Sequence, residues 1–128
     1  MEADRLGGNK VKLAFDTSFL ILMAEKRLKR LEELVEVIGA YEPVVLTPIY
    51  EELKRLSSKG SRPARLACEV VKGWLVDYGK GMRGDEALLK YAKESGAIVA
   101  TADYGLIRKL KGMGIRFVSV RKDEVYLG

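Results

Sequence analysis

Residues 97–103 read AIVATAD, and the chain runs on as YGLIRKL (104–110). Ala97 to Ala100 are small or apolar with no polar alternation, as in a strand covered on both faces. An aspartate, Asp103, then stands where that strand must end. Leu106, Ile107 and Leu110 follow it at spacings of three, four and seven, which is helical periodicity. A buried strand running straight into a helix is one unit of an alternating fold, and the rest of the chain repeats it. VKLAF (11–15) reads as a first strand. Helix follows from Ser18 to Ile38, broken near Lys26 and stopped by Gly39. VVLT (44–47) reads as a second strand, after which Thr47 and Pro48 open a helix with a capping hydroxyl and a proline at the first helical position. That helix, IYEELKRL, ends in the basic loop SSKGSRP, and Arg62-Pro63 starts another that runs through Lys72. WLVDY (74–78) reads as a short strand, Asp85 to Ser95 as a helix closed by Gly96, and Tyr104 to Lys111 as the helix after AIVATA. IRFVSV (115–120) is the last clear strand, with EVYL (124–127) a further candidate.

Strands alternating with helices form a parallel sheet with helices on both faces. The expected fold is therefore α/β, a three-layer α/β/α sandwich around a central parallel sheet. Residues 1–10 are expected to be a flexible leader and 11–128 a single domain. In such sheets ligands bind beyond the carboxyl ends of the strands, where strand order reverses.

Composition narrows the chemistry. The 128 residues suit one domain with a real core. Lys and Arg number 23 against 18 Asp and Glu, a net charge of +5, which suits a polyanionic partner such as nucleic acid. The single Cys68 has no internal disulfide partner, so a reducing, cytoplasmic compartment is expected. No apolar run approaches membrane-spanning length. Histidine is absent, which removes His-based acid–base catalysis, Ser–His triads and His-ligated zinc. Carboxylates, hydroxyls, Lys and Arg, or a metal held by oxygen must carry the chemistry.

Four acids are candidates. Asp16 follows the first strand directly, and Asp103 follows AIVATA, so both should emerge at the carboxyl edge of the sheet. Ile49, Leu53 and Leu56 set the apolar stripe of their helix; Glu52 lies at its margin while Glu51 points away. Leu88, Leu89 and Ala92 set the next stripe, on which Asp85 falls and Glu86 does not. Taken singly, each acid also has an ordinary use: Asp16, Asp85 and Asp103 are placed to cap helices and Glu52 to sit half-exposed. Together at one edge they would repel one another, and a divalent cation would offset that repulsion. Oxygen ligands without His or paired Cys favour Mg²⁺ or Mn²⁺. Such a site suits phosphodiester hydrolysis, with Ser18 and Thr101 available to hold water or a carboxylate rotamer.

The order of DTSFL (16–20), TPIYEEL (47–53), DEALLKYA (85–92) and TAD (101–103) before YGLI resembles the PIN-domain ribonucleases from about Val11 to Val120. Each motif is short and common; their order and spacing carry the likeness. The resemblance implies a metal-dependent endoribonuclease acting on single-stranded RNA, with Mg²⁺ or Mn²⁺ among the acids. Matched position by position, the family's four acids fall on Asp16, Glu52, Asp85 and Asp103, and its hydroxyl positions on Ser18 and Thr101. Many members carry Asn where this chain has Ala102. EPVVLTP (42–48) and RFVSVR (116–121) are similar to an archaeal subgroup related to the nucleases of small-subunit ribosomal RNA processing. VapC-type toxins share the four acids, and that role would require an antitoxin partner. The resemblance also implies a homodimer.

RNA phosphates would meet Lys54, Arg55, Lys59, Arg62 and Arg65 beyond Glu52, and Lys80 and Arg83 before Asp85. Each could equally be an ordinary solvated charge. KRLKR (26–30) and RKLK (108–111) read as outer helix faces. Tyr50, Tyr104 and Trp74 could stack on bases, with core packing the stronger expectation for Trp74. Cys68 reads as a small buried hydrophobe rather than a nucleophile.

Overall fold

The computed structural model describes residues 10–128, so the expected leader, apart from Lys10, lies outside the described residues. The strands are β1 (Val11–Phe15), β2 (Tyr41–Leu46), β3 (Leu75–Val76), β4 (Ile98–Ala100), β5 (Phe117–Arg121) and β6 (Glu124–Leu127). The helices are α1 (Thr17–Ala24), α2 (Arg27–Ile38), α3 (Thr47–Ser58), α4 (Arg62–Val70), α5 (Gly84–Ser95) and α6 (Tyr104–Gly112). A 3₁₀ turn over Val71–Trp74 leads into β3.

One sheet runs in the order β3-β2-β1-β4-β5-β6. Its first five strands are parallel and β6 is antiparallel at the edge. Leu13 to Phe15, Val44 to Leu46 and Ile98 to Ala100 are all buried. Such unbroken apolar runs need cover on both faces, which the flanking helices supply. Each fully buried Leu or Phe contributes about 1.5–3 kcal/mol relative to exposure.

The chain leaves the centre in two directions, with β2 and β3 on one side of β1 and β4 and β5 on the other. Right-handed crossovers then set α1 to α4 on one face and α5 and α6 on the opposite face. Strand order reverses between β1 and β4, so Asp16 and Asp103 follow the two strands that flank the switch point.

Three local expectations change. β2 starts at Tyr41 rather than Val44, because Tyr41, Glu42 and Pro43 pair with Val11, Lys12 and Leu13. The predicted strand WLVDY shrinks to Leu75–Val76, since Trp74 turns inward and stacks on Phe15 with ring centroids 5.3 Å apart. Thr47 does not cap α3: it is the helix's first residue, and its hydroxyl accepts from Tyr78 N at 3.2 Å and reaches Val76 O at 3.4 Å. That hydroxyl ties the end of β3 to the start of α3. Ser61 is a true cap, accepting from Ala64 N at 3.2 Å at the start of α4.

Gly79 sets the placement of α5. Its φ is +83°, and a Cβ there would lie 2.9 Å from the Ala87 Cβ and 3.5 Å from the Pro48 ring. Only glycine combines that backbone conformation with so close an approach. The contact draws α5, which carries Asp85, against the start of α3, which carries Glu52.

Candidate active site

Asp16 occupies the N-cap position of α1 with extended backbone angles (φ −87°, ψ 155°), yet makes no side-chain capping bond. Its carboxylate turns instead across the switch point. Thr101 Oγ1 donates to Oδ2 at 2.7 Å and Ser18 Oγ donates to the same oxygen at 2.8 Å. These hydroxyls are themselves held: Asp103 N donates to Thr101 Oγ1 at 3.0 Å, and Ala102 N to Ser18 Oγ at 3.0 Å. Behind them, Asp16 N bonds Ala100 O at 2.8 Å and Thr101 N bonds Val118 O at 3.0 Å, extending the sheet ladder to this corner. Burial pushes the Asp16 carboxyl above its ordinary value, against the two hydroxyl bonds, and the nearby Asp103 charge pushes the same way. Asp16 thus forgoes a cap worth about 1 kcal/mol, and among the described residues no lysine or arginine pairs with its partly buried carboxylate.

The other acids are placed differently. Asp103 does cap its helix, Oδ1 accepting from Gly105 N at 2.9 Å, and it is exposed beside Asp16. Glu52 reaches the same corner from α3, where Thr17 Oγ1 donates to its Oε1 at 2.9 Å and Arg55 stands 3.6 Å from Oε2. Thr17, buried and adjacent to Asp16, escaped the sequence reading; an alternating D-T-S gives no sign that the middle hydroxyl faces another helix. Asp85 lies in the second position of α5, behind Arg83 at the N-cap, so it does not cap as expected. Its Oδ1 accepts from Glu86 N at 2.9 Å, and Lys109 Nζ of α6 donates to Oδ2 at 2.9 Å. Lys109, read from sequence as an outer helix charge, holds the Asp85 carboxyl below its ordinary value, with smaller help from Arg83. Nothing in the sequence announces a pair 24 residues apart.

The expected convergence of four acids is thus only partly assembled. Asp16, Ser18, Thr101 and Asp103 form one connected corner, with Glu52 one residue removed through Thr17. Asp85 is turned to Lys109. Among the described residues, no three acidic side chains stand together as a ready metal cage. The donor set nevertheless fits a hard divalent cation: all oxygen, two neighbouring aspartates, and a raised Asp16 that a cation would relieve. Mg²⁺ in particular takes one or two carboxylates and completes its shell with water and substrate phosphate.

Of the predicted RNA contacts, Lys59, Arg62, Arg65 and Arg83 are exposed. Lys54 lies over the Tyr50 ring at 5.0 Å, and Arg55 is turned to Glu52. Trp74 is packed on Phe15, as expected, whereas Tyr104 is 78% exposed. Cys68 is half-buried, and burial pushes its thiol up, away from nucleophilic use. No helix among the described residues is long and apolar enough to cross a membrane.

A mostly parallel sheet with an acid corner at its switch point defines an α/β protein of the PIN class. A family model described as "PIN like domain" matches residues 13–123, and the chain belongs to that family. It is 36% identical over 124 residues to Ribonuclease VapC4 of Methanocaldococcus jannaschii, covering 90% of this chain and 94% of that protein. A solved structure of the PIN domain endonuclease Utp24 superposes with a TM-score of 0.75 at 21% identity, covering 91% of this chain and 90% of the other, a likeness of fold.

Proposed function

We propose that the protein is a divalent-metal-dependent endoribonuclease that hydrolyses RNA phosphodiester bonds, with ribosomal RNA the substrate suggested by the sequence resemblance. The observation that carries this reading is Asp16, a partly buried carboxylate that declines its helix cap and is aimed by two hydroxyls beside a second aspartate. Mg²⁺ or Mn²⁺ would be held by Asp16 and Asp103, with Glu52 and Asp85 reaching in by rotation of their side chains. Bound there, the ion would supply activation of water and neutralisation of charge developing on phosphate oxygens. Thr101 and Ser18, bonded to its Oδ2, would hold the Asp16 carboxylate in place for the ion. The exposed Lys59, Arg62, Arg65 and Arg83, with Lys54 and Arg55, would meet backbone phosphates flanking the cut.

The test is cleavage of an end-labelled single-stranded RNA. The reading expects a Mn²⁺- or Mg²⁺-dependent product ladder that vanishes with EDTA and in Asp16→Asn. Salt-sensitive RNA binding with no divalent-dependent product would instead mark a binding module without catalysis.

A toxin role is a second reading, favoured by the likeness to Ribonuclease VapC4 and by a cleft with exposed apolar side chains in its wall. There, between the α1–α2 junction and α4, Leu28 is 72% exposed and Leu66 and Val70 line a hollow of about 600 Å³. Such a surface suits a protein partner, and an antitoxin would be that partner. Growth arrest on expression of the wild-type chain but not Asp16→Asn, relieved by a small DNA-binding protein encoded beside it, would support this role. Unimpaired growth would count against it.

A further inference from the structure

Beside the acid corner lies a second, more enclosed hollow of about 400 Å³, within the size range of small-ligand sites. α6 supplies Tyr104, Arg108 and Lys111, and the β5–β6 hairpin supplies Ser119, Arg121 and Lys122. Ala102 also lines it, which sets the hollow next to the Thr101–Ala102–Asp103 corner. Four cations surround it, and no carboxylate of the described residues pairs with any of them. By contrast, Lys26 before α2 and Lys29 and Arg30 within it, which face the same hairpin, are paired with Asp123. Two aromatic rings flank the cations. Tyr126 is fixed, with the Arg121 guanidinium 4.3 Å from its centroid and the Phe117 ring edge-on at 6.3 Å. Tyr104 is exposed and presents an open face at the mouth, one residue from Asp103.

The geometry points to this hollow as a subsite for one nucleotide of the RNA, its phosphate held by Arg108, Lys111, Arg121 and Lys122 and its base laid on Tyr104. This rests on the endoribonuclease reading and extends it, because it puts RNA on the α6 side of the acids, opposite the α3 and α4 residues expected from sequence. Cations with no carboxylate partner among the described residues supply phosphate affinity, and an exposed aromatic face accepts any base. An acidic peptide would use the cations but leave Tyr104 without a role.

The experiment is fluorescence anisotropy of a 5′-fluorescein-labelled single-stranded RNA with the full chain in EDTA, where cleavage does not intervene. Arg108→Ala with Lys111→Ala should weaken binding about tenfold and lower the salt slope by about one to two. Tyr104→Ala should weaken it about fivefold or more. Lys72→Ala with Lys90→Ala, which removes the same charge elsewhere, should change it by no more than about twofold. Circular dichroism checks folding, and Arg108→Gln with Lys111→Gln replaces the first pair if it misfolds. In parallel, titration with adenosine monophosphate should shift the backbone amides of Ala102, Ser119 and Lys122. Equal losses in the control pair, no loss in the hollow variants, shifts that map elsewhere, or displacement of RNA by polyglutamate as readily as by polyuridylate would each overturn the subsite. Binding is read without metal, so the two readings fail separately. Loss of binding in the hollow variants without any divalent-dependent cleavage keeps the subsite and removes the nuclease; cleavage with insensitive binding does the reverse.

Discussion

Two aspartates at the same end of the sheet meet opposite fates. Asp16 is partly buried, held by two neutral hydroxyls and close to another acid, and its carboxyl is pushed up. Asp123, in the β5–β6 turn, is surrounded by Lys29 at 2.8 Å, Lys26 at 3.2 Å and the buried Arg30, and its carboxyl is pulled well below the ordinary value. The hairpin aspartate has its counter-charge built into the protein. It fastens α2 to the sheet edge, with Arg30 Nη1 also bonding Asp123 O at 3.1 Å and Glu33 at 2.7 Å. The corner aspartate has a precise hydrogen-bonded seat and, among the described residues, no lysine or arginine paired with it. On the proposed reading a carboxylate so arranged is suited to a metal ion, whereas a carboxylate ringed by side-chain cations serves the fold. Asp85 stands between the two, a candidate ligand lent to Lys109.

Breaking the corner should have the largest effect. Asp16→Asn is expected to lower RNA cleavage by about a thousandfold or more, the equivalent of several kcal/mol of charge stabilisation, while leaving the metal-free fold intact. Loss of folding in that variant, seen by circular dichroism, would instead place Asp16 with the structural aspartate. Thr101→Val removes one hydroxyl from Asp16 and should lower Mn²⁺ affinity about 10- to 100-fold, read by calorimetry.

On the other side of the comparison, Arg30→Met should destabilise the fold by about 2 kcal/mol through lost charged hydrogen bonds. Chemical denaturation checks this, and cleavage at temperatures where the variant stays folded should be unchanged. Lys109→Met tests the intermediate case. Freed from its ammonium, Asp85 should return toward its ordinary carboxyl value, and Mn²⁺ binding should tighten by about threefold to tenfold. Weaker binding would show that Lys109 holds Asp85 in a useful position.

The smallest effects are those of pH on stability. The Asp123 carboxyl is lowered, so the stability it supplies is complete above its ordinary value of 3.8 and is lost as pH falls below it. The Asp16 carboxyl is raised, so its ionisation costs stability, and acidification from neutral through the raised value restores it. Metal-free thermal midpoints should therefore rise for wild type relative to Asp16→Asn as pH drops toward 3.8, then fall relative to Asp123→Asn below it. Parallel curves for all three proteins would break the contrast.

Much of the corner was legible in advance because strands and helices have fixed periods. An unbroken apolar run must end at the sheet edge, which placed Asp16 and Asp103, and helical phasing separated Glu52 from Glu51 and Asp85 from Glu86. In the structure Glu52 does turn to Thr17, and Asp85 is half-buried where Glu86 is exposed. Periodicity is blind to which distant polar groups meet across a crossing. The Thr47 hydroxyl, placed by local rules as a cap, is claimed by Tyr78 from 31 residues away. RKLK looked like an outer face because its apolar partners point inward, yet Lys109 crosses to Asp85 and Arg108 and Lys111 close a hollow with the hairpin.

By itself the sequence determined the alternating α/β architecture, the absence of imidazole chemistry and the edge at which acids emerge, since these follow from composition and from the periods of two and 3.6 residues. Only the tertiary structure decided which carboxylates are left without a counter-charge and which are neutralised by lysine or arginine. Those pairings depend on how helices cross and where the hairpin folds back, and a difference of a few ångströms there turns a ligand into an ion pair.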